Sequence, residues 1–387
     1  MGRKGRRPLR VLAVDDSTVM RGVLRILFDL HEKQGDPALP PMELCGLVRD
    51  GVEGLEAVRD LEPDVLLLDI DMPRMDGLKV LEQLRYVAPQ LPVIVCSGST
   101  EPGARATFDA LARGAKDFVM KSGQQRDLTA ALGSLMQQLM PKIAALSAGQ
   151  ESSDDAPEPV TNHDCARPSA EPFAGRIDGE AAVEIVVIAV STGGPSALEQ
   201  TLPMLPRDFP VPVMIVQHMP KVFTGALADR LNRMCRLSVE QARDAAPIKP
   251  GTILLAPGDT HMEVSAARAV RLHQGPPLNS CMPSADYLLR SAAEVYGAGT
   301  LALVMTGMGA DGLEGARCVK QSGGTVLAQD ERTSAVWGMP GRVVKEGLAA
   351  QTVALPAIAD VLIDRVHRRI HKRFAPDHRR EGTHAMH

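Results

Sequence analysis

Aromatic side chains are scarce, with seven Phe, three Tyr and one Trp making up 3% of 387 residues. So few rings argue against a surface that stacks nucleobases. A net charge of −4, from 43 basic and 47 acidic residues, adds no bulk attraction for nucleic acid. No apolar run approaches the roughly 20 residues a membrane-crossing helix needs, so no membrane insertion is expected. The six cysteines (Cys45, Cys96, Cys165, Cys235, Cys281 and Cys318) form no C-x-x-C pair and no metal-ligand spacing. Free thiols in a reducing cytoplasm follow from that scatter, and a disulfide scaffold does not. The start is basic (Arg3, Lys4, Arg6, Arg7, Arg10) but lacks an apolar core before the first strand, so no signal peptide is expected.

What the chain does have is length for two cores and strands that alternate with helical patterns. In the first part, Arg10–Val14, Met42–Val48, Asp64–Asp69, Leu91–Ser97 and Asp117–Met120 read as strands. Val19–Leu30 and Gly51–Leu61 carry helical spacing, and a Gly/Pro-rich connection runs from Gly35 to Pro41. This alternation predicts an open parallel α/β sheet, whose ligands gather beyond the strand C-terminal ends. Asp15, Asp16 and Asp69 stand at those ends. Three carboxylates together are unfavourable unless a cation joins them, and oxygen-only ligands suit Mg²⁺. Ser97 and Lys121 end two further strands and can donate to, and neutralise, a phosphoryl group. The set predicts that Asp69 attacks a phosphoryl donor and becomes an aspartyl phosphate.

The stretches VLAVDDS, DVLLLDIDMPRMDGL, VIVCSGST and GAKDFVMKS resemble the response-regulator receiver family of two-component signalling. The resemblance implies a flavodoxin-like (βα)5 receiver over residues 9–140, phosphorylated on Asp69 by a histidine kinase. It also implies Mg²⁺ held by Asp15, Asp16, Asp69 and the Asp71 carbonyl, phosphoryl sensing by Ser97 and Lys121, and Phe118 as the switch aromatic. Ser122 replaces the proline usual after the lysine, and the Gly35–Pro41 connection is long for the family.

Residues 141–182 lose periodicity and interleave Pro157, Pro159, Pro168 and Pro172 with acidic and small residues, the composition of an extended linker. His163 and Cys165 sit within it. Beyond it, the run Ile185–Val190 meets Ser191-Thr192-Gly193-Gly194, and Pro195 opens a helix. Ser191 therefore stands on a strand-to-helix elbow, where its hydroxyl is exposed beside a helix N-terminus. Ala189 stands where the G-x-S-x-G pattern has its first glycine, so a phosphate-binding or purely structural turn stays open as a reading. Val211–Gln217 is a strand ending at His218, and Thr300–Met305 is another, running into the glycine-rich approach to Asp311. Ser284 reads as the N-cap of a helix to Tyr296.

Ser191, His218 and Asp311 thus all follow strand C-termini and can converge on one crevice. Ser191 needs a base, His218 has the intrinsic pKa for that role, and Asp311 can fix the imidazole tautomer. His261 and His273 are alternative bases. Bare N–H groups near Ser191–Gly194 and the glycines around Asp311 can form an oxyanion hole. The stretches VSTGGPSAL, VQHMPKVFTGALADRL, LAPGDTHMEV, MPSADYLLRSAA, MTGMGADGLEGA and GGTVLAQDERTSAVWGMP resemble the chemotaxis protein-glutamate methylesterase family over residues 183–365. The resemblance implies a doubly wound parallel-sheet hydrolase that needs no cofactor for its esterase chemistry. It also implies cleavage of γ-glutamyl methyl esters on chemoreceptors, and deamidation of receptor glutamines. Ser191 is then the nucleophile, His218 the base and Asp311 the orienter, with Thr192 and the Met308 backbone by the oxyanion. The chain departs from the family at Ala189-Val190, Asp259 and Cys281-Met282. A signalling adaptor whose hydrolase half only docks receptors is the competing reading. Residues 366–387 form a basic, His-rich tail.

Overall fold

The computed structural model describes residues 7–373 apart from 35, 37–38, 99, 122–127 and 152–180. Its first sheet contains β1 (Leu9–Val14), β2 (Met42–Val48), β3 (Val65–Asp69), β4 (Val93–Ser97) and β5 (Asp117–Met120). They are parallel in the order β2-β1-β3-β4-β5. Around it lie α1 (Thr18–Gln34), α2 (Gly51–Leu61), α3 (Gly77–Val87), α4 (Glu101–Ala112) and α5 (Leu128–Glu151). β3 and β4 are buried at every residue, as a sheet covered on both faces requires. Local chemistry starts the helices. Asp50 accepts from Val52 N and Glu53 N at α2, Asp76 from Lys79 N at α3, and Thr100 from Gly103 N at α4.

The second sheet has seven strands, in the order β14-β13-β12-β6-β7-β9-β8. These are β6 (Ile185–Val190), β7 (Val213–Gln217), β8 (Ser238–Gln241), β9 (Thr252–Leu255), β12 (Thr300–Val304), β13 (Thr325–Gln329) and β14 (Gln351–Val353). All of its pairings are parallel. β10 (His261–Val264) and β11 (Val270–His273) make a separate antiparallel ribbon. The helices are α6 (Gly194–Thr201), α7 (Lys221–Met234), α8 (Ala285–Tyr296), α9 (Leu313–Gln321), α10 (Met339–Lys345) and α11 (Ile358–Arg373). Two α/β units with parallel sheets agree with the fold class expected from the strand–helix alternation.

Three differences from the sequence reading have local causes. The helix read as ending at Leu30 continues to Gln34. A linker starting at 141 is not what forms there, because α5 runs through Pro141 to Glu151. Leu139, Ile143 and Leu146 are spaced three or four apart and are buried, and that packing outweighs the proline. Similarly, the tail expected from 366 begins inside α11, where Leu362 and Val366 bury one face. His163, Cys165 and Ser122 lie outside the described residues. The edge strands β8 and β14 carry no long apolar run, with the alternating pattern Ser238-Val239-Glu240-Gln241 in one and only three residues in the other.

The two units share apolar surface. Phe118 of β5 stacks on Phe223 of α7 with ring centroids 4.4 Å apart, and Phe108 of α4 meets Phe223 edge-on at 6.3 Å. Beside them Arg230 of α7 bridges Glu199 of its own unit at 2.6 Å and Asp109 of α4 at 2.7 Å. Val336 and Met308 of the second unit belong to the same apolar cluster as Leu135, Leu139 and Ile143 of α5.

Candidate active site

The strand order puts β12, β6 and β7 side by side, so the residues after their C-terminal ends share one crevice. Ser191 follows the central strand of the three. Its N–H donates to Thr306 O at 3.0 Å, and its carbonyl accepts from Gly194 N at 2.8 Å and from Gln217 Nε2 at 2.9 Å. Those bonds leave the backbone of the elbow fixed and the half-buried side chain free to act. Gly193 sits at φ +75°, a left-handed position suited to glycine. Gly307 lies so close that a Cβ there would come within 2.8 Å of Ser191 Cβ and 2.4 Å of Met339 Sδ.

His218 Nε2 lies 2.7 Å from Asp311 Oδ2. Asp311 is buried and densely held. Oδ1 accepts from Ser284 Oγ at 2.6 Å and Asp286 N at 3.4 Å, and Oδ2 accepts from Ala285 N at 2.6 Å. Ser284 is the N-cap of α8, as its sequence position suggested, so the carboxylate rests on a helix N-terminus, which favours negative charge. Burial alone would raise the Asp311 carboxyl, but the bonds from His218, Ser284 and Ala285 N–H hold it below the usual range. An ionised carboxylate only accepts, so His218 carries a proton on Nε2, and its Nδ1 faces the crevice, offering a lone pair when the ring is neutral. Burial pulls the His218 pKa down, yet hydrogen bonding and charge from Asp311 and Cys281 push it up to about 10.

Cys281 occupies the Nδ1 side, with Sγ 3.7 Å from that nitrogen. No hydrogen bond joins Ser191 Oγ to His218 among the described residues. The His–Asp pair is therefore assembled, and a thiol stands at the other ring nitrogen. For an oxyanion, Ser191 N–H is already used, but Thr192 N–H and Met308 N–H take no partner among the described residues. The alternative bases are placed differently. His261 is fully buried and its Nδ1 accepts from Ser284 N at 3.1 Å, and His273 packs against it with centroids 5.2 Å apart. Cys281, Ser284 and Gln217 were not singled out as site residues from the sequence. A thiol beside the Pro-Ser turn was visible there only as a departure from the family pattern.

In the first unit, Asp15 and Asp69 are buried, Asp16 and Asp71 are exposed, and Lys121 Nζ reaches Asp15 Oδ2 at 2.8 Å and Asp69 Oδ2 at 2.6 Å. Burial, with Asp15 nearby, raises the Asp69 carboxyl against the opposing pull of Lys121. Burial lowers Lys121, but both carboxylates outweigh it and raise its pKa. Asp15, Asp16 and Asp69 can each place an oxygen within 4.8 Å of the others. Three carboxylates this close, two of them buried, fit a small cation with oxygen ligands, beside the Lys121 ammonium that already meets Asp15 Oδ2. Ser97 Oγ lies 3.2 Å from the Gly98 and Gly103 carbonyls and accepts from Thr107 Oγ1 at 2.6 Å.

Comparison with known proteins matches a response regulator receiver domain over residues 11–133 and a CheB methylesterase over residues 186–362. The chain is 40% identical over 363 residues to the protein-glutamate methylesterase/protein-glutamine glutaminase of Trichodesmium erythraeum, spanning 92% of this chain and 99% of that one. It is 38% identical over 364 residues to the protein of the same name from Thermotoga maritima, spanning 93% and 99%. The crystal structure of the Thermotoga maritima CheB methylesterase catalytic domain is similar at 43% identity, covering 48% of this chain and 99% of that one with a TM-score of 0.46.

Proposed function

This chain belongs to the family of CheB methylesterases that carry a response regulator receiver domain, and from that premise we propose a phosphorylation-gated hydrolase of glutamyl methyl esters on chemoreceptors, able also to deamidate receptor glutamines. The observation that carries this reading is the His218–Asp311 pair at 2.7 Å beside the Ser191 elbow. Ser191 Oγ attacks the ester carbonyl as His218 Nδ1 takes its proton, which requires the hydroxyl to displace Cys281 Sγ from that nitrogen. Thr192 N–H and Met308 N–H face the developing oxyanion, a contribution of about 3–4 kcal/mol per donor. The imidazolium, stabilised by Asp311, returns the proton to the departing methanol, and water then repeats the sequence on the acyl-serine.

The raised His218 pKa gives the reaction a pH signature. A base must be neutral to accept a proton, so kcat/KM climbs with pH across the neutral range and levels off toward about 10. Cys281→Ala removes one of the two groups that raise it and moves this limb to lower pH. A limb near the ordinary histidine value in both proteins would show that Asp311 and Cys281 do not raise the His218 pKa.

The receiver is the gate. Asp15, Asp16, Asp69 and the Asp71 carbonyl would hold Mg²⁺, which supplies charge neutralisation when a histidine kinase or small phosphodonor phosphorylates Asp69. Ser97 and Lys121 then turn to the phosphoryl oxygens. Phe118 follows as the switch aromatic and unstacks from Phe223, and the units shift toward an open state. Met308, which shares an apolar cluster with α5, ties that shift to the oxyanion loop. The boundaries we assign are a receiver to about residue 151 and a catalytic unit from about 183 to 373. Cytoplasmic localisation belongs to the same reading; among the described residues no helix is long and apolar enough to cross a membrane.

The test is methanol release from methyl-esterified receptor membranes, with and without phosphodonor and Mg²⁺. Asp69→Asn keeps the basal rate and loses the stimulation, whereas loss of all activity in that variant sinks the gating. At the interface, Phe223→Ala is a poor probe because emptying a fully buried ring site costs about 3–5 kcal/mol of stability. Asp109→Lys is better, since it sets like charges against Arg230 on a half-exposed contact. Its basal rate rises about fivefold for each 1 kcal/mol of closed-state destabilisation.

A further inference from the structure

Among the described residues a second cluster matches the receiver trio in closeness. His218, Cys281 and Asp311 can each bring one ligand atom within 4.8 Å of the others. We propose that His218 and Cys281 of this cluster bind a single divalent cation of the zinc class, with Asp311 orienting the imidazole, and that the bound ion inhibits the enzyme by taking the nitrogen its base must use.

Donor chemistry separates the two clusters. Three carboxylates suit a hard, well-hydrated ion, whereas thiolate with imidazole suits zinc. Geometry agrees. Tetrahedral zinc with Zn–S of about 2.3 Å and Zn–N of about 2.05 Å sets the two ligand atoms about 3.6 Å apart. Cys281 Sγ and His218 Nδ1 are 3.7 Å apart, so an ion can bridge them with little movement. Asp311 completes the arrangement from behind. It already accepts the Nε2 hydrogen at 2.7 Å and is itself fixed by Ser284 and Ala285, the carboxylate–histidine–metal relay that orients a ligating imidazole. Nδ1 is thereby aimed at the thiol. On binding, the S–H proton and, where the ring is charged, the His218 Nδ1 proton leave to solvent, and the S–metal and N–metal bonds take their places. His218 and Cys281 are both half-buried, so water can fill the remaining positions and the ion can come and go. None of the other described cysteines belongs to such a cluster. The inhibition, though not the binding, rests on the esterase reading above.

The probe is Co²⁺ added to the full-length protein, followed by the thiolate-to-cobalt charge-transfer band in the near ultraviolet. With the receiver site filled by excess Mg²⁺, the wild type develops the band and saturates at one equivalent, and Zn²⁺ abolishes it by displacement. Cys281→Ala and the near-isosteric Cys281→Ser show no band. Cobalt at the all-oxygen receiver site is silent in this readout. In the methanol assay Zn²⁺ inhibits the wild type and a chelator restores the rate. Each variant, measured against its own zinc-free rate, needs at least about tenfold more zinc, the scale on which metal sites respond to loss of a supporting group. No band in the wild type, an undiminished band in Cys281→Ser, or equal zinc sensitivity in all three proteins overturns the proposal. If no form releases methanol, the esterase reading fails while the cobalt band still decides the site.

Discussion

Replacing Ser191 with alanine lowers kcat for methyl-ester hydrolysis by roughly 10⁴–10⁶-fold, the scale seen when the nucleophile of a serine triad is removed. The fold should not respond in kind. The three hydrogen bonds at Ser191 use its N–H and carbonyl, which alanine keeps, and Oγ has no partner among the described residues to lose. Methanol release and the thermal midpoint, measured on the same preparations, separate the two effects. A variant that unfolds earlier would give the loss of activity a trivial cause. A variant that stays folded and still hydrolyses the ester would move the nucleophile elsewhere, and Cys281 would be the next group to test because it already lies against His218 Nδ1. If the receptors instead respond normally to Ser191→Ala in cells, the adaptor reading gains and the catalytic one loses.

Asp311→Asn is the second large effect, about 10⁴-fold in kcat from the loss of imidazolium stabilisation and of the required tautomer. Unlike the serine change, it also destabilises the protein. Both carboxylate oxygens face donors, Ser284 Oγ and Asp286 N on one side and His218 Nε2 and Ala285 N on the other. Whichever way an asparagine amide turns, its NH₂ meets N–H or O–H groups at a buried position. Each donor left without an acceptor costs about 1–3 kcal/mol. The measurement is kcat together with the thermal midpoint, with Ser284→Ala as a control that removes one donor and retains the carboxylate. Asp311→Asn with a normal kcat would show that His218 is oriented by something else.

Both effects trace to side chains that were visible before any fold was known. Ser191, His218 and Asp311 each follow a buried run of apolar residues, and a polar residue after a buried parallel strand lies on the one edge where such sheets bind ligands. The same local rule exposed Asp15, Asp69, Ser97 and Lys121. The helix start at Ser284 was legible from a single side chain that satisfies the first turn, whereas the equivalent caps at Asp50, Asp76 and Thr100 emerge only in the structure. Where the local signal was weak, it misled. Pro141 looked like the end of the receiver, but burial of Leu139, Ile143 and Leu146 carries α5 past it. β8 and β14 went unread because edge strands this short carry almost no pattern.

The two α/β units, the residues at their strand ends and the chemistry those residues can perform are legible in the amino-acid order, because each depends on a few neighbours along the chain. Tertiary structure alone decided which nitrogen of His218 faces Asp311, that Cys281 stands at the other one, that α8 clamps the carboxylate, and that Arg230 reaches the receiver. These contacts join residues 93, 63, 27 and 121 positions apart. No local propensity reports on such pairs; they exist only once two cores have packed and brought distant side chains within bonding distance.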